Sequence, residues 1–320
     1  MFERVFKLSE HKTTVKTEVM AGITTFMTMA YILAVNPSVL GSTGMDTTAV
    51  LLATALASCL GTLCMAFMAN LPFALSAGMG LNAFMAYTVV AGYGYSWQVA
   101  LLAVFIEGLI FIVLSLTNIR EAIFNAIPLT LKKGVSVGIG LFIAFIGLQN
   151  SGLCVDSATL VGIISFPENF HTAGICALLT LIGLFFTAVF YTRKMKGAIL
   201  YGILLTWILG MLCQVTGLYV PTPDAGFYSL FPSWGMTDFS KLGLTFGQCF
   251  NVDFSAVGIV NFIVVIFSFL FVDIFDTLGT LIGVATKAKM LDKDGKLPGI
   301  KPALLADSIA TSAGAILGTS

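Results

Sequence analysis

Charge is scarce in this chain: only 10% of its 320 residues are Asp, Glu, Lys or Arg, against roughly a quarter in an ordinary globular domain. No charged residue occurs from Thr47 to Ile106. A water-soluble domain cannot be covered with so little charge. The mean hydropathy of +0.98 and the 58% hydrophobic content instead place these runs in lipid, in a protein with several membrane spans. Histidine is nearly missing. His11 and His171 each stand apart from other candidate ligands, so no histidine metal site is indicated. The six cysteines (Cys59, Cys64, Cys154, Cys176, Cys213, Cys249) are scattered, mostly in apolar runs and without metal-ligand spacing; they read as small buried residues. Net charge is zero, so nothing points to nucleic acid. The N-terminal MFERVFKLSEHKTTVKTE is too charged for a signal peptide and reads as a short amphipathic surface helix.

Windows of membrane length place spans near 20–40, 49–69, 72–91, 98–117, 134–150, 172–190, 197–216, 256–285 and 303–319. The third, LPFALSAGMGLNAFMAYTVVAG, starts with Pro72 and has Gly78 and Gly80 within it, so it is a poor continuous helix. Charge asymmetry nevertheless requires it to cross. With the N-terminus cytoplasmic and all nine segments crossing, the inner segments hold Arg4, Lys7, Lys12, Lys16, Arg120, Lys132, Lys133, Arg193, Lys194, Lys196, Lys287, Lys289, Lys293, Lys296 and Lys301. The outer loops hold only Lys241. Without the third crossing that asymmetry collapses. Asp292 and Asp294 resemble the start of a calcium loop, but the remaining ligands are missing and the segment reads as a solvated hairpin.

The second span, VLLATALASCLGTL (50–63), aligns without gaps with the ninth, ALLADSIATSAGAI (303–316), matching Leu51/Leu304, Leu52/Leu305, Ala53/Ala306, Ala57/Ala310 and Gly61/Gly314. An odd number of intervening spans gives the copies opposite orientation, the pattern of inverted-repeat secondary transporters. The partner of the third span would fall beyond Ser320, so the sequence is expected to be C-terminally truncated.

Two acids interrupt the eighth span in FLFVDIFDTLG. Asp273 and Asp276, three residues apart, project from one helix face. Each costs about 2.5–3.5 kcal/mol at a helix centre, so they face the bundle interior or a water-filled cavity. An acid that gains and loses a proton at mid-membrane suits a proton-coupled carrier; helix packing or ion pairing is the alternative. In SAGMGLNAF (76–84) the glycines allow backbone to leave the helix and face a ligand, and a half-helix starting near Gly80 would aim its positive end there. Asn82, with donor and acceptor, suits a heteroaromatic edge. Thr24, Thr25 and Thr28 in the first span mostly bond their own backbone, and Phe26 is a candidate to stack on a flat ligand. Glu107 reads equally as a partner for another helix or as functional, and Asp307, near the start of span nine, as structural and able to reach the interface.

GITTFMTMAYILAVNP, SAGMGLNAF, WQVALLAVFIEGLIF, VDIFDTLGTLIGVA and LPGIKPALLADSIATSAGAILGTS resemble the nucleobase/ascorbate transporter superfamily, and best its AzgA-like branch of adenine/guanine/hypoxanthine permeases. The resemblance covers essentially the whole chain. It implies an all-α integral membrane protein with fourteen spans in two inverted sets of seven, a core and a gate domain, and a short strand plus half-helix as the third span; this chain holds about nine of those spans. The implied division is an N-terminal segment 1–18, core 19–117, gate 118–255 and core again 256–320. The implied activity is import of purine nucleobases across the plasma membrane by proton symport with alternating access. The proton is the coupling ion, and no cofactor or metal is needed. Asp273, Asn82, Gly80, Phe26 and Thr25 are the implied substrate residues, and Asp276 with Asp273 the proton-coupling ones. A homodimer is compatible with this picture. The competing readings are an anion or uracil/xanthine carrier of the same fold and an intramembrane aspartyl protease. The paired acids argue against an anion site, and their sharing one helix argues against the protease.

Overall fold

The structure, a computed structural model, describes residues 2–10, 13–117, 119–158, 160–195, 197–223, 226–232, 237–253, 257–292 and 296–320. The chain packs as two compact units. The first comprises Met1–Gly22, Ala30–Ile139 and Thr237–Ser320, the second Ile23–Met29 and Gly140–Met236. Asp294, Lys12, Lys196, Lys293 and His11 lie outside the described residues.

The helices are α1 (Phe2–Phe6), α2 (Val15–Met29), α3 (Ile32–Gly41), α4 (Thr47–Cys64), α5 (Met79–Ala83), α6 (Trp97–Leu116), α7 (Ile119–Ala126), α8 (Leu129–Asn150), α9 (Phe166–Asn169), α10 (Ile175–Thr192), α11 (Ala198–Val215), α12 (Ile259–Lys287) and α13 (Ile300–Leu317). A small hairpin, β1 (Val155–Ser157) with β2 (Leu160–Gly162), is the sheet among the described residues. Among the described residues, eight helical stretches are long and apolar enough to cross a membrane, and a shorter apolar one, Met79–Gly92, stands where the sequence has its broken span. The first crossing is interrupted: α2 ends at Met29 and α3 resumes at Ile32.

Local signals fix several helix starts. The Asp46 carboxylate accepts from the N–H groups of Thr48 and Ala49, both at 2.9 Å, capping α4. Lys241 Nζ lies 3.1 Å from the other oxygen of that carboxylate, and the two interactions hold the acid below the usual carboxylate range. Ser96 caps α6 in the same manner. At the end of α13 the left-handed Gly318 (φ +107°) turns the chain so that Thr319 N–H bonds back to Gly314 C=O at 2.9 Å.

In the first unit α13 packs along both α4 and α6, α12 lies against α6, and α3 lies on α4. The seam between α4 and α13 is reciprocal. A Cβ on Gly61 would come within 2.9 Å of the Ala310 Cβ, and one on Gly314 within 3.9 Å of the Ala57 Cβ. Residue 61 matches 314 and 57 matches 310 at the single sequence offset that relates the second and ninth spans. Along α12, Ile259, Val260, Ile263, Val264, Phe267 and Phe271 face outward, as lipid contact requires, while Phe262, Ile266, Phe269, Leu270, Asp273 and Thr277 face inward.

From Leu71 to Gly78, where a short strand is expected, the chain is non-helical and pairs with no strand among the described residues. Side chains of α4 take the place of a ladder. The Thr62 hydroxyl accepts from Leu75 N–H at 3.1 Å and donates to Leu75 C=O at 3.2 Å, and the Ser58 and Ser76 hydroxyls meet at 2.7 Å. Non-helical backbone at membrane depth is tolerated only when satisfied in this way by protein or water.

In the second unit α10 and α11 form an antiparallel pair with close Gly–Thr contacts: Gly183 lies against Thr206 and Gly202 against Thr187. Each threonine bonds its own helix, Thr187 to Gly183 C=O and Thr206 to Gly202 C=O, both at 2.7 Å. The hydroxyls are thereby satisfied without leaving the helix. The segment after α11 folds back on it through Trp207 Nε1 to Leu230 C=O at 2.8 Å and Tyr219 Oη to Tyr228 C=O at 2.7 Å.

Candidate functional site

Asp273 and Asp276 occupy different environments one helical turn apart. The inward position of Asp273 on α12 leaves it 3% exposed. Arg120, the second residue of α7, lies beside it, 3% exposed. Its guanidinium is 3.3 Å from Asp273 Oδ2 and 2.8 Å from Asp307 Oδ2, and it also donates to Leu304 C=O at 2.9 Å and Ser308 Oγ at 2.6 Å. The Phe111 ring lies 4.0 Å from the guanidinium carbon, a cation–π contact. The Thr277 hydroxyl is 3.0 Å from both Asp273 Oδ1 and Asp307 Oδ2. A fan of acceptors this complete is what a buried arginine needs to offset its desolvation.

Glu107 of α6 is the third carboxyl of this cluster, and it is fully buried. Its neighbours by charge are Asp273, Arg120 and Asp307, yet among the described residues no N–H or hydroxyl donor reaches either of its oxygens. Gly108, next to it, brings α6 against α13 so closely that a Cβ there would come within 3.0 Å of Ser312 N.

Asp276 is half-buried and, among the described residues, its carboxylate makes no hydrogen bond or ion pair. It lies at the start of α5, the half-helix of the broken segment: a Cβ on Gly78 would sit 2.8 Å from Asp276 Oδ2, one on Gly80 3.9 Å from it. Only glycine at 78 admits this approach. The first intrahelical bond of α5 is Asn82 N–H to Gly78 C=O at 3.0 Å, so the N–H groups of Met79, Gly80 and Leu81 begin the helix without helical partners.

Asn82 is fully buried and its amide is already used by protein. It donates to Asn36 Oδ1 and accepts from Ser320 Oγ. Asn36 in turn donates to Thr54 Oγ1 at 2.7 Å and Thr319 Oγ1 at 2.9 Å. This network ties the half-helix to α3, α4 and the residues after α13.

The structure thus brings Gly80 and Asp276 together, and places Asp273 with Arg120 and Asn82 within its own network. Thr25 and Phe26 lie on α2 in the second unit; Thr25 C=O accepts from Thr28 Oγ1 at 2.8 Å, and the Phe26 side chain is 64% exposed. Arg120, counted from sequence among the cytoplasmic loop cations, is instead buried among carboxyls, and Asp307 joins it rather than the interface. The signal was its position three residues beyond the end of a span that itself carries an acid. Asn36, Thr54 and Thr319 gave no such signal, because isolated small polar residues in apolar runs are common.

Membrane-length helices enclosing a broken helix and a buried ionic cluster form a multi-pass membrane protein of the transporter class. The sequence profile of the group described as the permease family matches residues 16–320, and the chain belongs to that family, that of the nucleobase/ascorbate transporters; it is a permease and not an enzyme. It is 46% identical over 319 residues to a permease of Methanocaldococcus jannaschii, covering 99% of this chain and 68% of that one. It is 41% identical to the adenine permease AdeP of Escherichia coli, covering 100% of this chain and 67% of the relative. With the guanine/hypoxanthine permease PbuO of Bacillus subtilis the identity is 43%, covering 99% and 69%.

Proposed function

We propose that this permease imports purine nucleobases across the plasma membrane by proton symport, with the N-terminus cytoplasmic and access alternating between the two sides. The observation that carries the reading is the Asp276 carboxylate at the open start of α5, unpaired among the described residues. A purine edge alternates ring N–H donors with N and C=O acceptors. Asp276 supplies an acceptor for the former and the first-turn N–H groups of α5 donors for the latter. Gly80 and Gly78 keep that wall free of side chains, and Asn82 holds the half-helix in place. Asp273, tied to Arg120, is assigned to coupling rather than to the base. Thr25 and Phe26 are kept as candidate substrate contacts. The names of the relatives, adenine and guanine/hypoxanthine permeases, support the substrate class. The reciprocal α4–α13 seam supports an inverted repeat within a core and gate organisation.

Uptake of radiolabelled hypoxanthine, guanine, adenine, uracil and xanthine by the full-length protein, with and without a protonophore, tests the reading. Saturable, protonophore-sensitive uptake of at least one purine is expected. Uptake of uracil or xanthine alone would overturn the substrate class, and insensitivity to the protonophore the coupling.

A further inference from the structure

The ionic cluster has more acid than base. Around Glu107, α12 supplies Asp273, α7 supplies Arg120 and α13 supplies Asp307; the other segments packed on α6, Phe84–Gly92 and Gln248–Phe250, bring no charged side chain, only Tyr87 and Cys249 as titratable groups. The single guanidinium is engaged by Asp273 and Asp307. Glu107 is left fully buried, with both oxygens lacking a donor and another carboxyl, that of Asp273, beside it. Buried acceptors without donors are rare in folded proteins, and two carboxyls side by side can hydrogen-bond only when one of them carries a proton. Among the described residues no group of three His, Cys, Asp or Glu side chains is placed to hold a metal ion.

We infer that Glu107 and Asp273 share a proton, and that this pair is where the permease holds the proton that travels with its cargo. The assignment rests on the proton-symport reading above and adds the residue that reading did not contain. Loading adds one proton to the pair from the outer side and forms an O–H···O bond between the two carboxyls. Release returns that proton to the inner side, and two adjacent carboxylates are left to compete for the one guanidinium of Arg120. Through Thr277 and Asp307 that competition reaches α13, and through α12 it reaches Asp276 one turn away. Occupancy of the proton site and the shape of the base site are linked by a rigid helix turn.

Full-length permease in proteoliposomes enclosing a pH-sensitive dye tests this. Wild-type protein is expected to accumulate labelled hypoxanthine under an inward proton gradient and to acidify the lumen when hypoxanthine is added outside. Glu107→Gln is expected to keep hypoxanthine counterflow, which requires no net proton movement, and to lose both gradient-driven accumulation and acidification. A Glu107→Gln protein that keeps both overturns the assignment and leaves the carrier reading standing. A folded variant that loses counterflow as well places Glu107 in binding and also overturns it. Wild-type protein that moves purine without protons overturns the symport reading, and this inference with it. Infrared spectra give a readout that does not depend on transport or on the Glu107 variant folding. The wild type should show a carboxylic-acid C=O band at neutral pH that Asp273→Asn abolishes, since an amide N–H then takes the place of the proton. Absence of that band, or a band unchanged in Asp273→Asn, overturns the assignment.

Discussion

The two units of the chain solve the same problem, packing helices in lipid, in opposite ways. Every fully buried polar or charged residue among those described, from Asn36 and Asn82 to Glu107, Arg120, Asp273 and Ser308, lies in the first unit. The second buries Ile175, Ala177, Leu179, Ala198 and Tyr219, and joins α10 to α11 through glycines set against threonines. Small-residue contacts are how membrane helices associate when lipid is as apolar as the side chains. Buried ions, by contrast, add little net stability, and breaking one such pair is expensive. A unit that carries them is therefore built for a task other than stability, and a unit without them can serve as frame.

Replacing the cation of the first unit should produce the largest effect. Arg120→Ala strands Asp273 and Asp307, which should cost about 3–5 kcal/mol and abolish uptake; thermal unfolding in detergent alongside uptake measures both. Asp276→Asn should abolish purine uptake as fully while leaving the melting temperature close to wild type, because among the described residues that carboxylate makes no hydrogen bond or ion pair. If it melts as early as Arg120→Ala, the contrast between the two acids fails. Next comes the second unit. Gly202→Ala forces a methyl onto Thr187 and should cost about 1–3 kcal/mol, with the apparent KM for hypoxanthine unchanged. A smaller functional effect is expected of Gly78→Ala, whose new Cβ would stand 2.8 Å from Asp276 Oδ2. An apparent KM raised about tenfold, equal to about 1.4 kcal/mol, would mark the displacement of the carboxylate, and an unchanged KM would remove Asp276 from the base site.

The smallest effect belongs to the cap of α4. Asp46→Ala should cost about 0.5–2 kcal/mol by removing the acceptor for Thr48 and Ala49. Because folding lowers the pKa of Asp46 from its usual 3.8, its contribution is complete above that value. It is lost as pH falls through the lower folded value. The stability difference between wild type and Asp46→Ala should therefore shrink only in that acid range, as pH-dependent unfolding would reveal.

How much of this was legible beforehand varied with the kind of signal. The broken third span was readable from Pro72, Gly78 and Gly80, since those residues act on their own backbone. The helical register of α12 was readable too, and with it the conclusion that Asp273 and Asp276 face inward. Which acid meets which partner was not readable. Arg120 is separated from Asp273 by 153 positions, and its place just past an acid-bearing span marks it as a candidate without saying which acid it meets. The strand expected before α5 pairs with no strand among the described residues, and the Thr62 hydroxyl instead satisfies the backbone groups of Leu75. Asn82 looked free as an isolated amide and is occupied once Asn36 and Ser320 stand next to it.

By itself the sequence determined that the chain lives in lipid, where its helices cross, that one crossing is broken and that costly acids must turn inward, because hydropathy, helical period and glycine chemistry act over a few residues. Only the tertiary structure decided that Asp273 is tied to an arginine, that Asp276 is left open beside the half-helix and that Glu107 has no donor. Charge pairing acts through space at a few ångströms, and the chain order does not record which groups will share that space.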